Sequence, residues 1–174
     1  MAGQRAEVLG PPVPYTGAMT WRPDLTVAAI VQRDDRFLVV EELIQGQPVF
    51  NQPAGHVEDG ESIVEAAVRE TLEETAWHLR PRHLLGLYLW RNPANGCTVL
   101  RAAVTGEVIH HDSTRRLDTG ILAAHWMTRD ELLAVPSRLR SPLVLRCIDD
   151  YLAGHRHDLS ALAYLDAQPA TAAT

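Results

Sequence analysis

The strongest constraint on the fold is one long helical pattern, residues 62–77, bounded on both sides by runs of β-branched and apolar residues. Two of these runs, LTVAAIV (25–31) and RFLVVEE (36–42), precede the helix and are separated only by the polar sequence QRDD, which predicts a hairpin. Strands that flank an isolated helix, with further helices near the end of the chain, predict an α/β fold in which helices cover a mixed β-sheet.

The rest of the chain continues this pattern. Further strands are predicted from apolar runs at 48–55, 84–90, 98–109 and 121–127. The turn NPANG joins the middle two as a second hairpin, and 48–55 ends in a Pro/Gly loop. The helices TRDELLAV and SPLVLRCIDDYLAG follow, the second with Ser141 as its predicted N-cap, Pro142 at the first helical position and Gly154 just past its end.

The length of 174 residues predicts one domain. Residues 1–20 and 166–174 lack periodicity and are predicted to be flexible tails around a domain at 21–165. The first twenty residues lack the apolar core of a signal peptide, and no apolar run approaches the roughly 18 residues of a membrane helix, so a cytoplasmic protein is expected. Cys97 and Cys147 are predicted to be buried or half-buried thiols.

The net charge limits the classes of partner. A formal charge of -6 and a pI near 5.7 leave no basic surface of the kind that neutralises a nucleic-acid backbone, so binding to nucleic-acid polymers is not expected. An acidic protein can still bind small phosphate esters when a divalent cation bridges the two negative partners.

The central helix has a clear start signal. Ser62 and Glu65 form a predicted capping box, which places the helix from Ile63 to Thr75. At about 100° per residue, the chain divides into two sides. The stripe expected to face the core contains Val64, Ala67, Val68, Thr71 and Thr75, and the side expected to face outward contains Ala66, Glu70, Glu73 and Glu74.

Three glutamates crowd one turn of this helix, in RETLEET (69–75). A solvated face tolerates such crowding at a cost of a few tenths of a kcal/mol per like-charge pair, so spacing alone does not define a site. The preceding loop, QPAGHVEDGE, adds two glycines and three more acids. Because Mg²⁺ prefers oxygen ligands and is usually held by one or two carboxylates together with substrate phosphates, the cluster indicates a magnesium site.

The segment GHVEDGESIVEAAVRETLEETAW (55–77) resembles the Nudix box, G-x5-E-x7-R-E-U-x-E-E-x-G-U, in which U is a bulky apolar residue. All of its fixed glycine and charged positions before the final glycine are present, at Gly55, Glu61, Arg69, Glu70, Glu73 and Glu74. Two positions depart from the pattern: Ala76 replaces the final glycine and Thr71 replaces an apolar residue. Alanine adopts the left-handed conformation expected there at a cost of roughly 1 kcal/mol, and neither change removes a ligand.

The resemblance extends over residues 22–153. In this range the chain is similar to the NudJ-type phosphatase branch of the Nudix family, through the segments NQPAGH and RSPLV. It implies the Nudix fold, an α/β/α sandwich with a mixed β-sheet. It also implies a Mg²⁺-dependent enzyme, with Mn²⁺ as a substitute, acting on small-molecule diphosphates as a monomer or homodimer. The implied reaction releases the terminal phosphate of nucleoside tri- or diphosphates and of hydroxymethylpyrimidine or thiamine pyrophosphate.

The resemblance also implies roles for the matching residues. The Gly55 carbonyl and the carboxylates of Glu70, Glu73 and Glu74 are expected to hold the metal. Arg69, paired with Glu61, is expected to orient the catalytic turn, and Glu70 is the predicted general base.

Other candidates rest on weaker signals. Glu107 and Asp112 are outside candidates for a base or an extra ligand, although solvated acids explain them as well. The substrate-binding candidates are Phe50, Tyr88 and Trp90, which could stack on a base, and His56, which could touch a phosphate. Core packing is the simpler explanation for the three aromatics, and a structural loop position explains the histidine equally well.

Two rival functions stay open. The first is a Nudix enzyme that cleaves nucleotide sugars, dinucleotides or oxidised nucleotides, because the box does not select the substrate. The second is a non-catalytic Nudix-fold domain that binds a nucleotide. Such domains commonly lose a box carboxylate, whereas this chain keeps all of them.

Overall fold

The computed structural model describes residues 21–165, so the two predicted tails, 1–20 and 166–174, lie outside the described residues. The strands are β1 (Asp24–Arg33), β2 (Arg36–Ile44), β3 (Gln47–Asn51), β4 (Ala54–His56), β5 (Trp77–Arg91), β6 (Thr98–His111) and β7 (Ile121–Thr128). The helices are α1 (Ile63–Thr75), α2 (Arg129–Leu133) and α3 (Leu143–Leu152), with 3₁₀ turns at Pro136–Arg138 and Leu159–Ala161. The two predicted hairpins, β1–β2 and β5–β6, are both confirmed.

The strands form a mixed sheet in the order β3-β2-β1-β6-β5, with β4 also pairing β1 and β7 also pairing β2. β1 runs parallel to β6, and the other pairs are antiparallel. β1 and β2 pair only beside their turn, where Gln32 faces Phe37. Further along β1, the short strand β4 pairs instead and places Gly55 opposite Val27. This pairing fixes the position of the loop that enters α1.

Helices cover both faces of the sheet. Ala66 and Ala67 of α1 pack on one face, and Val144 and Ile148 of α3 pack on the other. Successive residues of β1 alternate between the two clusters, with Val27, Ala29 and Val31 on the α1 side and Ala28 and Ile30 on the α3 side. Because both faces are buried there, residues 27–31 of β1 are apolar without interruption, as is usual for strands in α/β layers. The predicted α/β/α sandwich with a mixed sheet is therefore confirmed.

Helix α1 begins and ends at the predicted residues. The Glu65 N–H donates to Ser62 Oγ at 3.2 Å, and the Ser62 N–H donates to Glu65 Oε2 at 2.8 Å, which completes the capping box. At the other end Ala76 has a φ of 59°, in the left-handed region, and its N–H donates to the Leu72 carbonyl at 2.9 Å. Helix α1 therefore ends at Ala76 in the left-handed conformation that glycine usually adopts at this position, and the alanine side chain adds a steric cost.

The expectation that the glutamate side of α1 faces outward is wrong. Ala66 is fully buried, and Glu74 is only 9% exposed. The reason is a contact between elements that are separate in sequence: β4 lies against this side of the helix. Helical periodicity alone does not show that the side is covered. Thr71 is also fully buried, and its hydroxyl donates to the Ala67 carbonyl at 2.7 Å, which explains how a polar residue occupies an apolar position of the pattern.

Two smaller expectations also need correction. β5 begins at Trp77, seven positions before the predicted 84, because irregularities at His78/Leu79 and Pro81/His83 interrupt the regular alternation of a strand. α3 has Pro142 at its N-cap position in place of Ser141, although Ser141 Oγ still accepts from the Leu143 N–H at 3.3 Å. Helix ends commonly shift by one residue in this way.

The two cysteines differ in environment. Cys147, on α3, is fully buried in the core, as expected, whereas Cys97 is exposed, so the prediction for Cys97 is wrong. Cys97 lies in the turn between β5 and β6. Among the described helices, none is both long and apolar enough to cross a lipid bilayer.

Candidate active site

The glutamates of α1 gather beside strand β4. The Ala54 N–H donates to Glu74 Oε2 at 2.8 Å, and the Glu70 carboxylate lies directly against the Cα of Gly55. A Cβ built on Gly55 would lie only 2.1 Å from Glu70 Oε1, so only glycine leaves room for the carboxylate. The structure thus brings together Gly55, Glu70 and Glu74 from two separate elements.

Arg69 lies at the centre of the acidic cluster. Its Nε and Nη2 donate to the two carboxylate oxygens of Glu61 at 3.0 and 2.7 Å, a bidentate contact. Its Nη1 donates to Glu70 Oε1 at 2.8 Å and to Glu73 Oε2 at 3.0 Å, and Nη2 also donates to the His56 carbonyl at 3.0 Å. One guanidinium therefore ties the loop before α1 to the glutamates on the helix.

Burial makes several of these carboxylates costly to ionise. Desolvation raises the pKa of Glu74 to about 8, and the charges of Glu70, Glu42 and Asp118 raise it as well, against the opposing hydrogen bond from Ala54. Desolvation also raises the pKa of Glu70, although Arg69 opposes the shift. The hydrogen bond from Arg69 lowers the pKa of Glu61.

The donor set fits a divalent cation. The ion pairs of Arg69 reach Glu61, Glu70 and Glu73, and within residues 21–165 no cationic side chain pairs with Glu74. In the present arrangement, no group of three or more His, Cys, Asp or Glu side chains among the described residues already converges as a metal site. The four carboxylates have only one arginine at their centre, so their negative charge is not balanced. Oxygen ligands of this kind match the chemistry of Mg²⁺, and binding would require Glu70 and Glu73 to turn away from Arg69.

A cleft of about 350 Å³ opens next to this cluster. Ala54 and Gly55 of β4 line it, so the cleft is continuous with the segment that contacts Glu70 and Glu74. Its lining includes two of the four substrate-binding candidates, His56 and Trp90.

The other two candidates, Phe50 and Tyr88, do not line the cleft. Phe50 is 7% exposed and packs beneath the guanidinium of Arg138, 4.4 Å from the ring centre. Tyr88 packs against the α3-side core, and its hydroxyl donates to Asp150 Oδ2 at 2.9 Å. Both side chains are thus engaged in packing, which was the simpler explanation.

The two outside candidates for a base are engaged elsewhere. Glu107 is exposed on β6 and pairs with Arg80 and Arg82. Asp112 Oδ1 accepts from the N–H and hydroxyl of Thr114 and shapes the turn that follows β6. Neither contact brings the carboxylate to the glutamates of α1.

Sequence reasoning missed several polar residues near the site. The polar cleft residues that were not candidates include Thr26, Glu42, Asn51, Arg101 and Arg140. Two of them carried a usable signal, because Arg101 and Glu42 are charged residues within apolar strands, where charges are rare unless paired or functional. Asp118 acts on the pKa values of Glu70 and Glu74 from the loop before β7, and its surrounding sequence gave no signal.

The arginine at the centre of the cluster gives a first prediction. Arg69→Lys is expected to lower kcat about 10- to 100-fold, because an ammonium group cannot bridge Glu61, two further glutamates and the His56 carbonyl together. Steady-state kinetics with a phosphoanhydride substrate measure the effect. Arg80→Lys, at an exposed arginine paired with Glu107, is the matched control and should keep the wild-type kcat. Equal rates for the two variants would contradict the orienting role.

Comparison with known proteins agrees with this geometry. The family model described as the NUDIX domain matches residues 22–146. Phosphatase NudJ of Escherichia coli strain K12 is 39% identical over 142 residues, which cover 82% of this chain and 92% of that protein. The solved structure of a NUDIX hydrolase from Nitrosomonas europaea is 47% identical, with a TM-score of 0.83, and the match covers 84% of this chain and 100% of that one.

A more distant solved structure supports the fold alone. It is a UDP-X diphosphatase, 19% identical with a TM-score of 0.65, and the match covers 83% of this chain and 70% of that one.

The family match, the sandwich fold and the glutamate cluster beside Gly55 together define the class: the chain belongs to the Nudix family and is a hydrolase of phosphoanhydrides. Within that family it is similar to the phosphatase NudJ over most of its length. The resemblance seen in the box residues is therefore confirmed at the level of the whole domain.

Proposed function

We propose that the chain is a Mg²⁺-dependent phosphatase that releases the terminal phosphate of nucleoside tri- and diphosphates and of hydroxymethylpyrimidine or thiamine pyrophosphate. The observation that carries the proposal is the cluster of desolvated glutamates beside Gly55, with Glu74 buried and without a cationic partner within residues 21–165. The similarity to phosphatase NudJ supports the choice of a terminal phosphate as the leaving fragment.

The proposed metal ligands are the Gly55 carbonyl and the carboxylates of Glu70, Glu73 and Glu74. When bound, Mg²⁺ would neutralise phosphate charge and lower the pKa of a coordinated water. Nudix hydrolases generally use a divalent metal, and we expect Mn²⁺ to substitute. Arg69 would keep Glu61 and the His56 carbonyl as partners and so hold the loop in place.

Glu70 is the proposed general base. Gly55 fixes its position by close contact, and Arg69 Nη1 contacts its Oε1. Glu70 would accept the proton of a water that attacks the terminal phosphorus, while the bond from that phosphorus to the bridging oxygen breaks. The products would be orthophosphate and the substrate shortened by one phosphate. A positioned base of this kind contributes about 10²- to 10⁴-fold to the rate.

The cleft beside β4 is the proposed substrate site. His56 would contact a phosphate, and Trp90 would stack on the ring of the substrate, since both line the cleft. We extend the proposal to a single domain at 21–165 acting in the cytoplasm, as a monomer or homodimer, on small diphosphates rather than on nucleic-acid polymers.

Metal removal and product analysis test the proposal together. EDTA is expected to abolish orthophosphate release from nucleoside triphosphates, nucleoside diphosphates, thiamine pyrophosphate and hydroxymethylpyrimidine pyrophosphate, and excess Mg²⁺ should restore it. The measurement is a phosphate assay over these substrates, with chromatography of the nucleotide products. Pyrophosphate as the product, or cleavage restricted to nucleotide sugars or dinucleotides, would overturn the proposed reaction and favour the rival Nudix enzyme.

A further inference from the structure

Four buried side-chain atoms in residues 21–165 have no hydrogen-bond partner, and all four belong to residues that line the same cleft. They are Thr26 Oγ1, Glu42 Oε1, Asn51 Oδ1 and Arg101 Nε. In folded proteins nearly all buried polar atoms are paired, so four unpaired ones in one place need a local explanation. They form the polar floor of the cleft.

The floor is built from four strands and is well buried. Thr26 on β1, Asn51 on β3 and Arg101 on β6 are 8%, 6% and 6% exposed, and Glu42 lies on β2. Arg101 Nη1 donates to Gln52 Oε1 at 3.3 Å, and the guanidinium also contacts the Cys147 thiol. Strands hold side chains more rigidly than loops, so these groups are positioned in advance of a ligand.

The mixture of donors and acceptors indicates what the floor can bind. Arg101 Nε is a donor, Glu42 Oε1 and Asn51 Oδ1 are acceptors, and the Thr26 hydroxyl can act as either. Arg140 also lines the cleft, and its Nε lies 3.6 Å from Glu42 Oε1, so it partly neutralises Glu42. A phosphate or another anion would pair with Arg101 but would leave Asn51 Oδ1 unpaired and would compete with Glu42 for Arg140. A neutral group with both N–H donors and a ring acceptor would pair with all four.

We propose that this polar floor recognises an amino-substituted nitrogen heterocycle, such as cytosine, adenine or an aminopyrimidine, in the substrate. The exocyclic amino group donates to Glu42 Oε1 and Asn51 Oδ1, and a ring nitrogen accepts from Arg101 Nε. The inference rests on the proposed function, because it deepens the substrate class of the same site. It assigns specificity to residues outside the Nudix box.

The position of the floor is consistent with this role. Ala54 lines the cleft, and its N–H donates to Glu74, so one residue joins the floor to the glutamate cluster. Trp90 lines the same cleft and offers a ring surface for stacking. A heterocycle on the floor therefore leaves its phosphates to extend along β4 toward Glu70 and Glu74.

Binding of cytidine diphosphate and uridine diphosphate in EDTA tests the inference without turnover. The two nucleotides differ at two adjacent ring positions: cytosine has an amino group and a ring-nitrogen acceptor where uracil has a carbonyl oxygen and a ring N–H. We expect cytidine diphosphate to bind about 10- to 100-fold more tightly by calorimetry, because the carbonyl would face two acceptors. Equal dissociation constants for the two nucleotides would overturn the inference.

Variants locate the source of the preference. Glu42→Gln is expected to reduce the preference for cytidine diphosphate at least about tenfold, because the amide can donate to the uracil carbonyl. Glu41→Gln, the same substitution on the neighbouring residue, which pairs with His125 and Arg138, is the matched control and should keep the preference. Thr26→Val should keep the wild-type melting temperature, because the lost hydroxyl has no partner, while weakening cytidine diphosphate binding severalfold.

The outcomes separate this inference from the proposed function. If neither nucleotide is hydrolysed in Mg²⁺ but the Glu42-dependent binding preference is present, the proposed reaction fails and the inference stands. If both are hydrolysed but Glu42→Gln changes both affinities equally, the reaction stands and the inference fails.

Discussion

Glu70→Gln is expected to lower kcat/KM for orthophosphate release by about 10²- to 10⁴-fold, because it removes both a proposed metal ligand and the proposed base while keeping the shape of the side chain. The Glu70 carboxylate already lies against the Cα of Gly55, so the side chain cannot shift further toward β4. Steady-state kinetics in saturating Mg²⁺ measure the loss. Glu65→Gln, on the same helix but in the capping box, is the control and should retain the wild-type kcat/KM.

Glu74→Gln separates metal binding from folding. Because burial raises the pKa of Glu74 to about 8, this side chain is largely neutral near pH 7 without a cation, and glutamine is a close match to that form. The variant should therefore keep the melting temperature of the metal-free protein but lose the stabilisation that Mg²⁺ gives to the wild type. Wild-type rates in both glutamine variants would remove the assignment of this cluster as the metal site.

Gly55→Ala is expected to destabilise the protein by about 1–3 kcal/mol and to lower kcat/KM by about 10²-fold. The added Cβ would overlap the Glu70 carboxylate, whose Oε1 lies 2.1 Å away, so the side chain must leave its position. Gly55 does not require a positive φ, so the effect comes from space rather than from backbone strain. Thermal unfolding and steady-state kinetics measure the two effects.

A double-mutant cycle isolates the cause. In a Glu70→Ala background the clash partner is absent, so adding Gly55→Ala should cost almost nothing in the free energy of unfolding. The same cost in both backgrounds would show that Gly55 is required for another reason, such as the pairing of β4 with β1.

Helix α1 could be predicted to the residue because its signals are local. The capping box at Ser62 and Glu65 and the exit at Ala76 depend on neighbours within one or two turns. The environment of its glutamates could not be predicted in this way, because it depends on β4, which returns to pair with β1. Periodicity defines the two sides of a helix but not what covers each of them.

The polar floor of the cleft could not be predicted from the sequence. Its residues come from β1, β2, β3 and β6. The parallel pairing of β1 with β6 places Thr26 opposite Arg101, and the pairing of β2 with β3 brings in the strands of Glu42 and Asn51. For Arg101 the apolar neighbours gave a hint, since an arginine in a buried strand calls for a partner. Phe50 and Tyr88 were chosen as aromatic residues alone, and residue type does not distinguish a core position from a cleft wall.

The contacts of Arg69 also describe the state of the protein before the proposed cation binds. This guanidinium neutralises part of the charge of three carboxylates and ties them to the loop that contains Gly55. The guanidinium therefore holds these carboxylates together in the cation-free protein. If the proposed divalent cation binds here, Glu70 and Glu73 would exchange the guanidinium for the cation, while Glu61 would keep Arg69 in place.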